Sequence, residues 1–120
     1  MDKKIIFLDL DGTLTNDEKK ITPKTKEALM DIQKRGHIVA LASGRPTPGM
    51  GFIAKELELE KYGGYVMSFN GGKIIDWKTK ETVFENTLDR KYLPDLIRYA
   101  RQNNLGLITY DNKQGLVATQ

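Results

Sequence analysis

The apolar run Ile5-Ile6-Phe7-Leu8 leads straight into Asp9-Leu10-Asp11-Gly12. No other stretch constrains the fold as strongly. A short, continuous apolar run with β-branched residues reads as a buried strand, here Lys4 to Leu10. Carboxylates at i and i+2 of a strand share one side, where their charges repel. A buried strand tolerates such an ending only where it opens onto solvent or onto a ligand that rewards the charge.

The residues that follow alternate helix and strand signals. Gly12 to Ile21 is a polar loop. Thr22 is placed to cap a helix whose first position is Pro23. Ala28, Leu29 and Ile32 supply its apolar face, Lys34-Arg35 its basic end and Gly36 its stop. His37 to Ala42 reads as a second buried strand and Ser43 to Gly49 as a loop. A second helix carries Met50, Ile53, Ala54 and Leu57 on one face. Gly63-Gly64 closes that unit, and Tyr65 to Phe69 forms a third strand ending at Asn70-Gly71-Gly72. Such an alternation predicts right-handed βαβ units on a parallel sheet, with helices layered on it. Ligands of these sheets gather beyond the C-terminal strand ends, which here are Asp9/Asp11, Ser43 and Asn70.

After Gly72 the pattern changes. Lys73 to Trp77 and Thr82 to Leu88 read as a β-hairpin. A helix covers about Arg90 to Asn104, although Pro94 moves its start toward Tyr92 if Asp89 is not the cap. A second hairpin, Leu105–Tyr110 with Gly115–Thr119, turns through Asp111 to Gln114. A boundary is therefore expected near residue 86, with a first unit over 1–86 and a second over 87–120.

The chain has 120 residues, 39% of them hydrophobic and 29% charged, enough for one ordinary globular core. It has no cysteine, which excludes disulfides and thiolate ligands or nucleophiles within these residues. No apolar run approaches the roughly 18 residues of a membrane helix, and no secretory pattern follows Met1. A cytoplasmic location with no membrane partner is expected. Net charge is +3, with bases interspersed among acids. These are solvated faces and do not suggest a nucleic-acid surface, but mildly positive charge suits a small anion such as a phosphate ester.

Asp9 and Asp11 can be turn or cap carboxylates, but their setting allows more. Gly12 permits a tight turn and close backbone approach. Two carboxylates, a hydroxyl and backbone amides suit a divalent cation with a phosphate. Ser43 reads as a turn residue or a site hydroxyl, Arg45 as a phosphate partner or a surface ion pair, and Asn70 as a site residue or half of an Asn-Gly turn. His37, at a strand start, lies away from these ends.

Asp9-Leu10-Asp11-Gly12-Thr13 resembles motif I, D-x-D-G-T, of the haloacid dehalogenase superfamily of phosphohydrolases. The strand His37–Ala42 followed by Ser43-Gly44-Arg45-Pro46 resembles motif II, and Ser68 to Gly72 resembles the segment after the third core strand in the Cof-type branch. The resemblance implies a Rossmann-like three-layer α/β core with the start of an inserted α/β cap. It implies Mg²⁺-dependent hydrolysis of small phosphorylated metabolites, such as sugar phosphates, through an aspartyl-phosphate. Asp9 would be the nucleophile and Asp11 the general acid and base. Leu10, Gly12, Thr13, Ser43, Gly44 and Arg45 would bind phosphate, Asn70 would lie on the substrate side, and Thr13 to Lys20 would form a flap. Asp9, through its carboxylate, and Asp11, through its carbonyl, would hold the metal. A cation is needed: at 4 Å and an effective dielectric of 20, each like-charge pair costs on the order of 4 kcal/mol.

The same resemblance calls for a later lysine (motif III) and further acids (motif IV), which nothing after Asp89 matches. Lys91 and Lys113 fall in the second unit. The chain is thus expected to be part of a longer enzyme and inactive or incomplete by itself. Its first strand is expected to have an open edge, which would make the chain poorly stable, self-associating or dependent on a partner fragment. A non-catalytic fragment is the alternative. A receiver-type signalling domain fits less well, because Asn70 stands where its phosphoacceptor aspartate would be.

Overall fold

A computed structural model describes residues 2–111 and 115–118. Its strands are β1 (Ile5–Asp9), β2 (Ile38–Ala42), β3 (Gly64–Ser68), β4 (Lys73–Asp76), β5 (Thr82–Glu85), β6 (Ile108–Asp111) and β7 (Gly115–Ala118). Its helices are α1 (Pro23–Lys34), α2 (Gly51–Glu56), α3 (Leu59–Tyr62) and α4 (Leu93–Gln102). The fold is Rossmann-like α/β. Strands β1 to β5 form one sheet in sequence order. The pairs β1–β2 and β2–β3 are parallel, with Phe7 opposite Ala40 and Leu41 opposite Val66. The hairpin β4–β5 joins the same sheet antiparallel to β3. Among the described residues, β1 is an edge strand.

Local chemistry accounts for α1. The Thr22 hydroxyl accepts from the Thr25 N–H at 3.4 Å, Pro23 opens the first turn, and Gly36 takes the left-handed φ of 97° just past the end. Leu29 is buried and Ile32 packs against the core, but Ala28, expected on this face, is exposed. The buried stripe runs through Gln33 instead, whose amide donates to the Leu57 carbonyl at 2.9 Å.

The expected second helix is broken. A 3-10 turn, Thr47–Gly49, precedes α2, and Glu58 at φ 56° separates α2 from α3. Leu57 and Leu59 are both fully buried. Residues two apart point to different sides of a continuous helix, so the left-handed residue between them lets both reach the core.

That core lies on one face of the sheet. Leu10, Val39, Leu41 and Val66 meet Leu29 of α1, Ile53 and Ala54 of α2, and Leu59 of α3. Strand alternation turns Ile5 and Phe7 to the opposite face, where they are 48% and 63% exposed.

Contacts divide the chain into Met1–Asn86 and Thr87–Gln120. In the second unit the Asp89 carboxylate accepts from the Lys91 N–H at 2.9 Å and opens a 3-10 turn, Arg90–Tyr92. The helix proper begins only at Leu93, which leaves Pro94 in its first turn, where a missing N–H costs nothing. β6 and β7 pair antiparallel. The turn expected between them falls on residues 112–114, outside the described residues.

Candidate active site

The C-terminal ends of β1, β2 and β3 converge on an open cavity of about 310 Å³. Asp9, Ala42, Ser43, Gly44, Met67, Asn70 and Gly71 line it. Four residues singled out in the sequence, Asp9, Ser43, Gly44 and Asn70, thus meet although they come from separate strand ends.

Backbone bonds hold the cavity's walls. The Ser43 N–H donates to the Met67 carbonyl (3.0 Å), the Asn70 N–H to the Ser43 carbonyl (3.1 Å) and the Phe69 N–H to the Arg45 carbonyl (2.9 Å). Asn70 sits at φ 55°, a left-handed conformation that asparagine tolerates. A Cβ on Gly44 would lie 2.9 Å from the Asn70 side-chain oxygen, so glycine is what lets these loops touch. Ser43 is buried, and its hydroxyl oxygen accepts from the Arg45 N–H at 3.1 Å. The hydroxyl proton remains available to an anion. Behind it, the Thr47 and Ser68 hydroxyls bond at 2.6 Å, pinning the loop to β3.

Leu10, Gly12 and Thr13 form the turn beside the cavity and do not line it. The Leu10 carbonyl accepts from the Thr13 N–H (3.2 Å), the Thr15 N–H (2.9 Å) and the Thr15 hydroxyl (3.0 Å). Gly12 takes φ 81° within this turn. The Thr13 N–H is therefore engaged inside the turn.

Asp11 is turned onto cations. Arg45 grips it through Nε to Oδ2 at 3.0 Å and through Nη2 to Oδ1, while Nη1 donates to the Gly49 carbonyl at 3.2 Å. Lys19 Nζ adds a contact to Oδ1 at 3.1 Å. Hydrogen bonding by Arg45 first, then by Lys19, holds the Asp11 carboxyl below the usual carboxylate value. The Arg45 guanidinium thus engages a carboxylate and does not line the cavity. Lys19 was not singled out in the sequence, where it sits in the mixed-charge run Asp17 to Lys20; its pairing depends on how the loop folds. Asp9, by contrast, has no ion pair among the described residues. His37 lies at the opposite end of the strands, its Nδ1 accepting from the Lys4 N–H at 3.1 Å.

Among the described residues no cluster of three or more histidine, cysteine or acidic side chains could enclose a metal. The donors present are hard oxygens: the unpaired Asp9 carboxylate and the nearby Asp11. This partial set fits Mg²⁺, which keeps several waters and commonly takes one or two carboxylates plus substrate phosphate.

Residues 6–120 match the model of the haloacid dehalogenase-like hydrolases. The chain belongs to this family. Its resemblance to the Cof-type branch is borne out by its relatives and structural neighbours. A haloacid dehalogenase-like hydrolase from Bacteroides thetaiotaomicron superposes with a TM-score of 0.90 at 44% identity, covering 99% of this chain and 44% of that one. A provisionally named phosphatase of Streptococcus pyogenes serotype M6 is 34% identical over 88 residues, 73% of this chain and 33% of the relative. The 5-amino-6-(5-phospho-D-ribitylamino)uracil phosphatase YcsE of Bacillus subtilis is 32% identical over 76 residues, 63% of this chain and 29% of its own length. The chain spans about a third of the length of the curated relatives it matches. No helix among the described residues is long and apolar enough to cross a membrane.

Proposed function

We propose that this chain carries the nucleophile half of a phosphomonoesterase site acting on small phosphorylated metabolites, with sugar phosphates as the leading class. The observation that carries the reading is the cavity at the ends of three adjacent strands, lined by Asp9, which has no ion pair among the described residues, together with Ser43 and Asn70. Asp9 attacks phosphorus in line and forms an aspartyl-phosphate, expelling the alkoxide. Ser43 donates a hydrogen bond to a non-bridging phosphoryl oxygen. Asp11 protonates the leaving alkoxide and later takes a proton from the water that hydrolyses the intermediate. Its grip by Arg45 favours the ionised form, so proton donation requires Asp11 to turn away from the guanidinium. The Asp9 carboxylate and the Asp11 carbonyl would hold Mg²⁺, which would offset the repulsion between carboxylate and phosphate.

The second unit, residues 87–120, is read as the beginning of an inserted cap domain. The lysine and further acids expected to complete the site are supplied from elsewhere, either by more of the same polypeptide or by a partner; the open edge of β1 favours this. The test is phosphate release from an aryl phosphate with Mg²⁺ and then with EDTA. The chain, its Asp9→Asn variant and a longer form of the same gene product are compared. Slow or no turnover by the chain and Asp9-dependent turnover by the longer form are expected. Turnover that survives Asp9→Asn in the longer form would overturn the reading.

A further inference from the structure

We propose that the loop Asn16–Lys20 is an arm that positions Asp11: Asn16 folds the arm, and Lys19 on it keeps hold of the Asp11 carboxyl when Arg45 lets go. The inference rests on the role in proton transfer given to Asp11 above.

The arm is built from one residue. The Asn16 N–H donates to the Lys20 carbonyl at 2.9 Å, and the Asn16 carbonyl accepts from the Lys19 N–H at 2.9 Å. The Asn16 side-chain oxygen accepts from the Glu18 N–H at 2.9 Å and from the Lys20 N–H at 3.1 Å. Within this closed loop Lys19 sits at φ 63°, a left-handed conformation that a lysine adopts only where neighbouring bonds enforce it. The arm is also anchored. Thr15, just before it, is buried, and its N–H and hydroxyl both donate to the Leu10 carbonyl. A β-bridge joins Thr15 to Asp11. Asp11 and the arm are thus parts of one excursion of the chain, whereas Arg45 comes from the loop after β2.

The contacts divide the work between the two cations. Arg45 meets both carboxylate oxygens of Asp11, and Lys19 meets only Oδ1, at 3.1 Å. A guanidinium fork demands one geometry, but an ammonium on a flexible stem can follow a moving partner. When Asp11 turns away from Arg45, Lys19 travels with it on Oδ1 and leaves Oδ2 free to carry the proton. Lys19 is therefore a positioning residue, and Asn16 positions it in turn. Lys20, the next residue, forms no ion pair among the described residues and serves as a control of equal charge.

Two measurements test the arm, one of them without turnover. In the chain itself, the side-chain carboxyl carbon resonance of Asp11 is followed at neutral pH, where the carboxylate is ionised in every variant. It should move in Lys19→Met and Asn16→Ala and stay in place in Lys20→Met. Asn16→Asp, which keeps the accepting oxygen, should restore it relative to Asn16→Ala. In the longer form, Lys19→Met should lower kcat for an aryl phosphate roughly tenfold with little change in KM, because Lys19 does not touch the phosphate cavity. Lys19→Arg should recover part of that loss. Asn16→Ala should lower kcat in the same way and add little to Lys19→Met in the double variant, since both remove one contact. A resonance unmoved by Lys19→Met, or moved as far by Lys20→Met, overturns the proposal. So does a Lys19→Met variant altered in KM alone. Absence of Asp9-dependent turnover in the unaltered longer form counts against the function proposed above; the resonance then decides whether the arm holds Asp11.

Discussion

Arg45 holds Asp11 in a two-pronged grip, Nε on Oδ2 at 3.0 Å and Nη2 on Oδ1, across 34 residues of sequence. The pair joins the turn after β1 to the loop after β2, so the residue that would move the proton is tethered to the loop that would hold the phosphate. Forked guanidinium–carboxylate pairs are geometrically demanding, and lysine does not replace them. Lys19 adds only a point charge at 3.1 Å.

The tether has a pH signature. Arg45, and after it Lys19, lowers the folded-state pKa of Asp11. A depressed carboxylate contributes stability above its unfolded value, and that contribution is lost as pH falls through the lower folded value. Arg45→Ala should raise the Asp11 pKa toward its ordinary value, so the acid limb of the pH–rate profile of an active form should move up in pH. Arg45→Lys should move it part of the way. Carboxyl NMR titration of Asp11 reads the same change without turnover. An unmoved Asp11 titration in Arg45→Ala would show that the pair is absent in solution.

Gln33 ties α1 to the end of α2. Its Nε2 donates to the Leu57 carbonyl at 2.9 Å in a buried setting, and its Oε1 has no protein partner there. Truncation to Gln33→Ala leaves the Leu57 carbonyl without this donor and should destabilise unit Met1–Asn86 by about 1–3 kcal/mol. Chemical denaturation followed by circular dichroism measures it.

Two glycines separate stability from function. A Cβ on Gly64 would lie 2.6 Å from the Val39 carbonyl oxygen and 3.2 Å from a Leu59 methyl. Both neighbours belong to the packed interior, so Gly64→Ala should cost at least about 1–3 kcal/mol. At Gly44 the nearest atom is the end of the Asn70 side chain, 2.9 Å away, and that side chain can swing aside. Gly44→Ala should therefore change stability by less than about 1 kcal/mol while moving Asn70 out of the cavity and weakening anion binding. Thermal melts paired with phosphate titrations separate the two effects.

What could be seen in the sequence was what is local. The entry into Asp9 and Asp11 is written in consecutive residues, as are the cap at Thr22 and the stop at Gly36. The break at Glu58 was hidden because the apolar spacing of Met50, Ile53, Ala54 and Leu57 continues smoothly up to it; the demand for a second buried leucine at 59 comes from the sheet. Gln33 does not stand out in the sequence, because its partner, a backbone carbonyl, leaves no trace in a side-chain pattern. The same holds for the Arg45 and Lys19 contacts to Asp11, which depend on loops meeting in space. Asn70 was legible as a turn residue, but its place in the cavity follows from Gly44, whose missing side chain admits it.

Ser43 offers the sharpest separation of binding from folding. It is buried at the end of β2, and its hydroxyl oxygen accepts from the Arg45 N–H at 3.1 Å, leaving the proton free for the cavity. A hydrogen bond to a charged group contributes about 1.5–3 kcal/mol, so Ser43→Ala should weaken inorganic phosphate binding roughly 10- to 100-fold. Ser43→Thr, which keeps the hydroxyl, should retain most of it. Loss of the acceptor also loosens the turn into Arg45, so the Asp11 titration should shift slightly in Ser43→Ala and not in Ser43→Thr. Calorimetric titration with phosphate reads the first effect and carboxyl NMR the second. Equal phosphate affinity in all three proteins would remove Ser43 from the site and leave the chemistry to Asp9 and Asp11.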